Sequence, residues 1–249
     1  MKIVVCIKRV PDTAARIKLA EGGVGIDPAG VKFVISPYDE FAMEAALRLK
    51  EAKGEGEIVA LSLGDAAAGE QLRSALAMGA DRAVLLQGES TMDGLVTARA
   101  LAAELKDQGA DLILFGMKAS DGDQQQVGLM TAELMDLPAV SVVAELELEG
   151  GSVVCRREVE GGLEVLEAPL PAVVTMTKGP HEPRYPSLKG IMAAKKKPLE
   201  EKEAQATEAR LEVRKLSYPP ERPAGRIVGE GADAVPELVR LLREEAKVL

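Results

Sequence analysis

The sequence predicts an α/β protein: a parallel sheet with helices on both faces, joined to an antiparallel meander and an extended C-terminal arm. Three observations carry this. Up to about residue 138, four short apolar runs alternate with segments of helical period. From 140 to 176 the pattern changes to β-type segments separated by paired glycines. Beyond Lys178 the periodicity is lost for about twenty residues.

The first four strands are Ile3-Val4-Val5-Cys6-Ile7, Ile58-Val59-Ala60-Leu61-Ser62-Leu63, Ala83-Val84-Leu85-Leu86 and Leu112-Ile113-Leu114-Phe115. Runs this apolar, without polar alternation, suit strands buried on both faces. Between and after them lie helical segments at 38–53, 69–78, 93–106 and 123–135. Strand and helix in alternation imply right-handed crossovers and a parallel sheet. The first helix has a readable start: Ser36 as cap, Pro37 at N1, and Asp39 three residues after the cap, as in an acidic capping box. Such a start either simply opens a helix or, at the carboxyl ends of strands, offers N–H groups and positive dipole to an anion.

The meander is predicted from 140–148, 153–159, 163–167 and 172–176, with Glu149-Gly150-Gly151-Ser152 and Glu160-Gly161-Gly162 as turns. Arg156, Arg157 and Glu158 give its second strand one wet face. Residues 178–197 carry six basic side chains against Glu182 alone, a local charge of +5. They also contain Pro180, Pro183 and Pro186 and three apolar candidates, Leu188, Ile191 and Met192. The segment reads as a solvated tether or as a docking loop whose apolar anchor enters a partner while lysines steer acidic surface toward it. Residues 211–216 alternate like an edge strand, and Pro219, Pro220 and Pro223 then stop regular structure. Residues 234–249 form an amphipathic helix with Pro236 in its first turn. This tail lies either on a partner or back on its own domain.

The chain has 249 residues, enough for one large domain or a domain with an appendage. Forty acidic residues against 31 Lys plus Arg leave a net charge of −9, which argues against a nucleic-acid binder or a coat on anionic membrane. Aromatic residues are 2% with no Trp, so stacking platforms for bases are missing. His181 is the single histidine, and Cys6 and Cys155 stand far apart. Zinc-ligand spacing is therefore absent, a Ser-His-Asp triad would have to use His181, and a reduced, cytoplasmic setting fits best. The apolar stretch 3–7 is too short for a leader, and no run reaches the roughly 18 residues that cross a bilayer. Direct membrane insertion is not expected.

The segment Gly116-Met117-Lys118-Ala119-Ser120-Asp121-Gly122-Asp123-Gln124-Gln125-Gln126-Val127-Gly128 carries the most chemical information. It follows a buried strand and runs into a helix, at the sheet edge where ligands bind. Ser120, Gly122 and Gly128 allow close backbone approach, and N–H groups near 123–126 would suit a phosphate. Asp121 and Asp123 then cap the helix, hold a ribose hydroxyl or bind a bridging metal; a plain capped turn is the alternative. Neither G-x-x-x-x-G-K-[ST] nor G-x-G-x-x-G follows a strand. Lys8 and Arg9, leaving the first strand, are candidates to reach a phosphate or carboxylate. His181 as a base and Cys155 as a nucleophile have no nearby partner, and Cys6 reads as a small core hydrophobe.

Seven blocks in order, Val5-Cys6-Ile7-Lys8-Arg9-Val10-Pro11-Asp12, Pro37-Tyr38-Asp39-Glu40, Ala75-Leu76-Ala77-Met78-Gly79-Ala80-Asp81-Arg82, the 116–128 segment, Arg157-Glu158-Val159-Glu160-Gly161-Gly162-Leu163-Glu164, Pro171-Ala172-Val173-Val174-Thr175 and Glu182-Pro183-Arg184-Tyr185, resemble the β subunit of electron transfer flavoprotein. The resemblance spans nearly the whole chain. It implies an adenine nucleotide α-hydrolase-like sheet and a heterodimer with an α subunit that holds most of a redox-active FAD, while this chain binds AMP. Electrons would arrive from acyl-CoA dehydrogenases and related flavoenzymes, as in fatty acid oxidation, and leave to a membrane quinone oxidoreductase. The implied nucleotide contacts are Cys6, Ser36, Pro37, Tyr38, Asp39, Leu63, Gly116, Met117, Lys118, Ala119, Ser120, Asp121, Gly122, Asp123, Gln124, Gln125, Gln126 and Val127. The implied docking residues are Leu188, Ile191, Met192, Lys195 and Lys196.

The organisation expected is then a nucleotide-binding domain over 1–183, a recognition loop over 184–200 and a C-terminal arm over 201–249 lying on the partner. Thr13 stands where the family often has an aromatic residue, so a ring contact with FAD from this side is not expected. Some relatives hold a second FAD in place of AMP, and Asp121-Gly122-Asp123 is compatible with either. The rival readings are a nucleotide-dependent hydrolase or transferase of related fold, using Asp121 or Asp123 with Mg²⁺, and a homodimeric ligand-binding module.

Overall fold

The computed structural model describes residues 1–88, 93–221 and 224–249, so Pro223 lies outside the described residues. In chain order the elements begin with β1 (Lys2–Cys6), β2 (Arg9–Pro11), β3 (Phe33–Ile35), α1 (Pro37–Lys53), β4 (Glu57–Gly64), α2 (Gly69–Met78) and β5 (Arg82–Gln87). They continue with α3 (Gly94–Gln108), β6 (Leu112–Gly116), α4 (Val127–Met135), β7 (Ala139–Val143), β8 (Glu145–Glu149), β9 (Ser152–Val159) and β10 (Gly162–Pro169). The last are β11 (Ala172–Met176), α5 (Leu188–Ala194), β12 (Leu199–Glu203) and α6 (Val235–Glu244).

A seven-stranded sheet runs β12-β5-β4-β1-β6-β11-β7, and every pairing in it is parallel. Its two faces carry separate cores. Ile3, Val5, Ile58, Ala60 and Leu85 pack with Met43, Leu47, Leu72 and Leu76 of α1 and α2. Val4, Val59, Leu61 and Val84 pack with Leu101 and Leu105 of α3 and Ala132 of α4. This double coverage is why the strand sequences are continuously apolar. Helices lie on both faces, as the sequence predicts.

The meander is smaller than the sequence suggests. Only β8, β9 and β10 form the antiparallel sheet. The 140–148 segment divides into β7 and β8, and residues 172–176 leave the meander altogether. They form β11, parallel to β6 and β7 inside the main sheet, with all five residues buried. Hairpin-like turns before a strand predict a local partner, whereas burial on both faces selected a distant one.

The first helix begins at Pro37 as expected, but Ser36 makes no side-chain cap bond and Asp39 forms no capping box. A cap contributes about 1 kcal/mol, while each fully buried large apolar side chain contributes about 1.5–3 kcal/mol. Burial of Met43 and Leu47 therefore holds α1 without it. At the other end Gly54, at φ 76°, closes the helix with its N–H on the Lys50 carbonyl.

Two further segments differ from expectation. Residues 188–194, inside the aperiodic stretch, form α5, capped by Ser187. The edge strand is β12, paired to β5, rather than residues 211–216, which have no regular structure. The chain divides into two compact units, Met1–Lys215 and Leu216–Leu249. The second is built on α6, where Arg240 pairs with Glu237 and Glu244 and Arg226 reaches Glu245. Its Val235 and Leu238 are exposed. Among the described residues, no helix is long and apolar enough to cross a membrane.

Candidate functional site

The chain leaves β1 through α1 toward β4 and β5, then returns through α3 to β6 on the other side of β1. This reversal between β1 and β6 is a topological switch point, where a crevice opens at the carboxyl ends of the strands. A cavity of about 110 Å³ lies there, lined by Cys6 at the end of β1 with Ile7 and Lys8 just beyond it, and by Phe115 and Gly116 at the end of β6 with Met117, Lys118 and Ala119 just beyond. Gly122, Asp123, Gln124, Gln125, Gln126, Val127 and Gly128 add a second wall, and Asp39, Leu63, Gly94, Thr97 and Leu101 complete it. It is small beside the ~300–1,000 Å³ of ordinary ligand pockets, with room for about one ring-sized group.

Asp39 organises this edge. It is 6% exposed, and its two carboxylate oxygens accept from the backbone N–H of Lys8 at 2.8 Å and of Gly116 at 3.0 Å. One side chain of α1 thus ties the ends of β1 and β6 together. Burial pushes its carboxyl up to about 7, against the opposing pull of the two N–H donors and of Lys8. The approach requires Gly116: a Cβ there would lie 2.7 Å from the Asp39 nitrogen and 2.7 Å from the Tyr38 carbonyl carbon. Burial, and then the Asp39 charge, raise the Cys6 thiol well above its ordinary range, so it stays protonated.

The 116–128 segment is not a helix start until Val127. Asp123 and Gln125 are left-handed, with φ of 50° and 56°, so the helix expected from 123 begins four residues later. Lys118 is ion-paired with Asp123 at 2.8 Å and Lys8 with Asp121 at 2.7 Å. The Asp123 contact holds the Lys118 ammonium above its usual range. Ser120 keeps a buried hydroxyl oxygen with no hydrogen-bond partner.

Thirteen of the eighteen expected nucleotide contacts line the cavity. Ser36, Pro37, Tyr38, Ser120 and Asp121 do not line it; the Ser36 hydroxyl donates to the Lys118 carbonyl at 3.4 Å. Arg9 stacks its guanidinium 3.5 Å over the Phe33 ring and lines no part of the cavity. Sequence reasoning missed the start of α3, Gly94 and Thr97. The signal was present, because Asp93-Gly94 opens a helix at the same sheet edge as the other site segments.

A larger cavity, about 770 Å³, lies between α1 and the meander and shares no lining residue with the first. Volume alone would favour it. Its walls, however, carry charges already paired, Glu44 with Arg184 and Arg156 with Glu147, and it lacks the convergence of strand ends seen at the switch point.

The expected docking residues gather on and just after α5. Leu188 is 84% exposed, Met192 67% and Ile191 45%, and Lys195 and Lys196 are also exposed. The helix beneath them is fastened. Arg184 donates to Glu44 and Glu51 of α1. Arg73 of α2 donates to the Ala194 and Lys197 carbonyls at 2.7 and 2.8 Å. The Lys197 ammonium caps α2 at the Leu76 and Ala80 carbonyls. Two of the six basic residues counted in this stretch are therefore structural supports.

The family described as "Electron transfer flavoprotein domain" matches residues 24–207. The chain is 41% identical over 249 residues to "Electron transfer flavoprotein subunit beta" of Syntrophomonas wolfei, covering 100% of this chain and 98% of that protein. It is 42% identical over 260 residues to the protein of the same name from Bacillus subtilis, covering all of both. With the Homo sapiens protein of that name it shares 39% over 252 residues and 98% of each chain.

Proposed function

This chain belongs to the electron transfer flavoprotein β-subunit family, electron-carrier subunits rather than enzymes, and from that premise we propose that it binds AMP at the β1–β6 edge, joins an α subunit that holds FAD, and presents α5 to flavoprotein dehydrogenases. The observation that carries the reading is the switch-point cavity with the unpartnered Ser120 hydroxyl in its loop. A ring-sized enclosure suits a purine, and the ribose and phosphate then lie along 116–128 toward the α4 start. The phosphate competes with Asp121 and Asp123 for Lys8 and Lys118. FAD supplies the redox chemistry when bound to the heterodimer; this chain contributes binding surface.

The exposed Leu188, Ile191 and Met192 rimmed by lysines support docking of acidic flavoenzymes such as acyl-CoA dehydrogenases. In this reading electrons leave to a membrane quinone oxidoreductase, the complex works in the cytoplasm, and residues 216–249 lie on the α subunit through Val235 and Leu238. The hydrolase alternative is disfavoured because Asp121 and Asp123 are each engaged by a different lysine rather than converging on one point.

The test is to purify the chain with its α partner, denature the complex and identify the released nucleotides by mass. One AMP and one FAD per heterodimer are expected. Recovery of two FAD, or of no adenine nucleotide besides FAD, would overturn AMP binding.

A further inference from the structure

The carboxylate of Asp93 serves two separate segments. One oxygen accepts from Leu95 N at 3.0 Å and Val96 N at 3.4 Å, capping α3. The other accepts from Arg210 N at 2.7 Å and Leu211 N at 3.0 Å, more than a hundred residues away in sequence. Those four N–H donors, Arg210's foremost, hold the carboxyl below its usual range, so the bonds are charge-assisted.

The α3 start borders the switch-point cavity, and the strap stands behind it, with none of residues 204–211 in the lining. Gly94 and Thr97 of the α3 start line the cavity, and a Cβ on Gly94 would stand 3.2 Å from Gln124 Oε1 and 3.6 Å from Val127 Cγ2 on the opposite wall. The strap begins at Ala204, whose N–H donates to the Gln87 carbonyl at 2.9 Å. Gly88 separates Ala204 from the cavity residue Leu63, with its Cβ position 3.1 Å from one and 3.2 Å from the other. Residues 204–209 have no helix or strand; the strap is bonded at β5 and at Asp93, and Ala204 packs on the core between them.

We propose that Asp93 is a latch, a positioning residue that fastens residues 204–211 beside the α3 start and thereby slows release of a nucleotide from the cavity. This rests on the reading that the cavity holds an adenine nucleotide. Capping alone does not require the second pair of bonds, because one oxygen already serves α3. Release demands that the α3 start move away from the 116–128 loop it faces across Gly94, and the latch ties that start to the strap.

The experiment uses the complex with the α partner, loaded with radiolabelled AMP and chased with unlabelled AMP. Asp93→Ser keeps an oxygen able to cap α3 but cannot also reach the strap. Leu211→Pro deletes one strap donor and leaves Asp93 intact, and Leu211→Ala keeps that donor as a control. Asp93→Ser and Leu211→Pro are expected to release AMP about tenfold faster, on the order of one hydrogen bond, with Leu211→Ala at the wild-type rate. Wild-type rates in both altered proteins overturn the latch while leaving nucleotide binding standing. Acceleration in Asp93→Ser alone assigns the effect to the helix cap and overturns the strap. A wild-type complex that takes up no AMP overturns the nucleotide reading itself, and the latch with it.

Discussion

The switch-point edge and the α5 surface are built in opposite ways. At the edge, the organising groups are inside: Asp39 is 6% exposed, its oxygens already bonded to two strand ends, and Gly116 is required by contact distance. At α5 the groups proposed to dock a partner are outside, with Leu188 84% exposed, and only the supports beneath are buried or paired. A site that encloses a small molecule is tied to fold stability through every wall. A surface that meets another protein can be displayed on a fixed base with little energetic coupling to it. Substitutions at the edge should therefore register as stability, and those at the tip of α5 as rate.

The largest effect expected is the pH dependence of Asp39. Its folded value of about 7 stands above the ordinary 3.8, so the folded state holds a proton that the unfolded chain releases. Its contribution is full below pH 3.8 and is lost as pH rises to about 7, amounting to at most about 4 kcal/mol. Urea unfolding of wild type and Asp39→Asn from pH 4 to 8 measures the difference. Parallel profiles would break the claim that the edge titrates with folding. Next comes Gly116→Ala, which drives a Cβ into the Asp39 and Tyr38 backbone and should cost about 3 kcal/mol. Its check is thermal unfolding together with nucleotide content, both of which should fall.

On the α5 side, Arg184→Ala strips a bidentate partner from Glu44, whose side chain is 5% exposed. Burial pushes the Glu44 carboxyl up, but the Arg184 bonds win and hold it below its usual range. Without them the buried carboxylate keeps only the longer Arg48 pair at 3.7 Å, at a cost of about 2 kcal/mol once the partial exposure of Arg184 is allowed for. Denaturant midpoints should show it, and loss of docking at unchanged stability would mean Arg184 is itself a contact. The smallest stability change belongs to Leu188→Ala, at most ~0.5 kcal/mol, with reduction by a dehydrogenase slowed several-fold. Equal reduction rates at all dehydrogenase concentrations would remove its anchor role.

The strands that build the edge were legible because each carries its own evidence. Val4, Val5, Ile113 and Leu114 are apolar on both sides, and double coverage leaves no other pattern. The features that escaped were decided between distant segments. Residues 172–176 look like one more meander strand, yet they pair with β6. Residues 199–203 are too charged to suggest a strand, yet they pair with β5. Asp39 reads locally as the acidic member of a capping box behind Ser36, and only the approach of β1 and β6 shows that its carboxylate binds them instead. The α5 helix was hidden because it exposes Leu188, Ile191 and Met192 and buries only Ala194, the reverse of a helix that packs by amphipathicity.

The lateness of β12 in the chain has a consequence for biosynthesis. Until Leu199 pairs with Ala83, the nascent protein carries Ala83-Val84-Leu85-Leu86 on an open, uncharged edge, a template for intermolecular pairing. The strand that finally covers it, Leu-Glu-Glu-Lys-Glu, is one that other chains are poorly disposed to extend. It acts as a gatekeeper at the end of the sheet. Chains truncated before residue 199 are expected to aggregate during synthesis even with the rest of the main sheet intact, and pelleting of such products from a translation reaction would measure it.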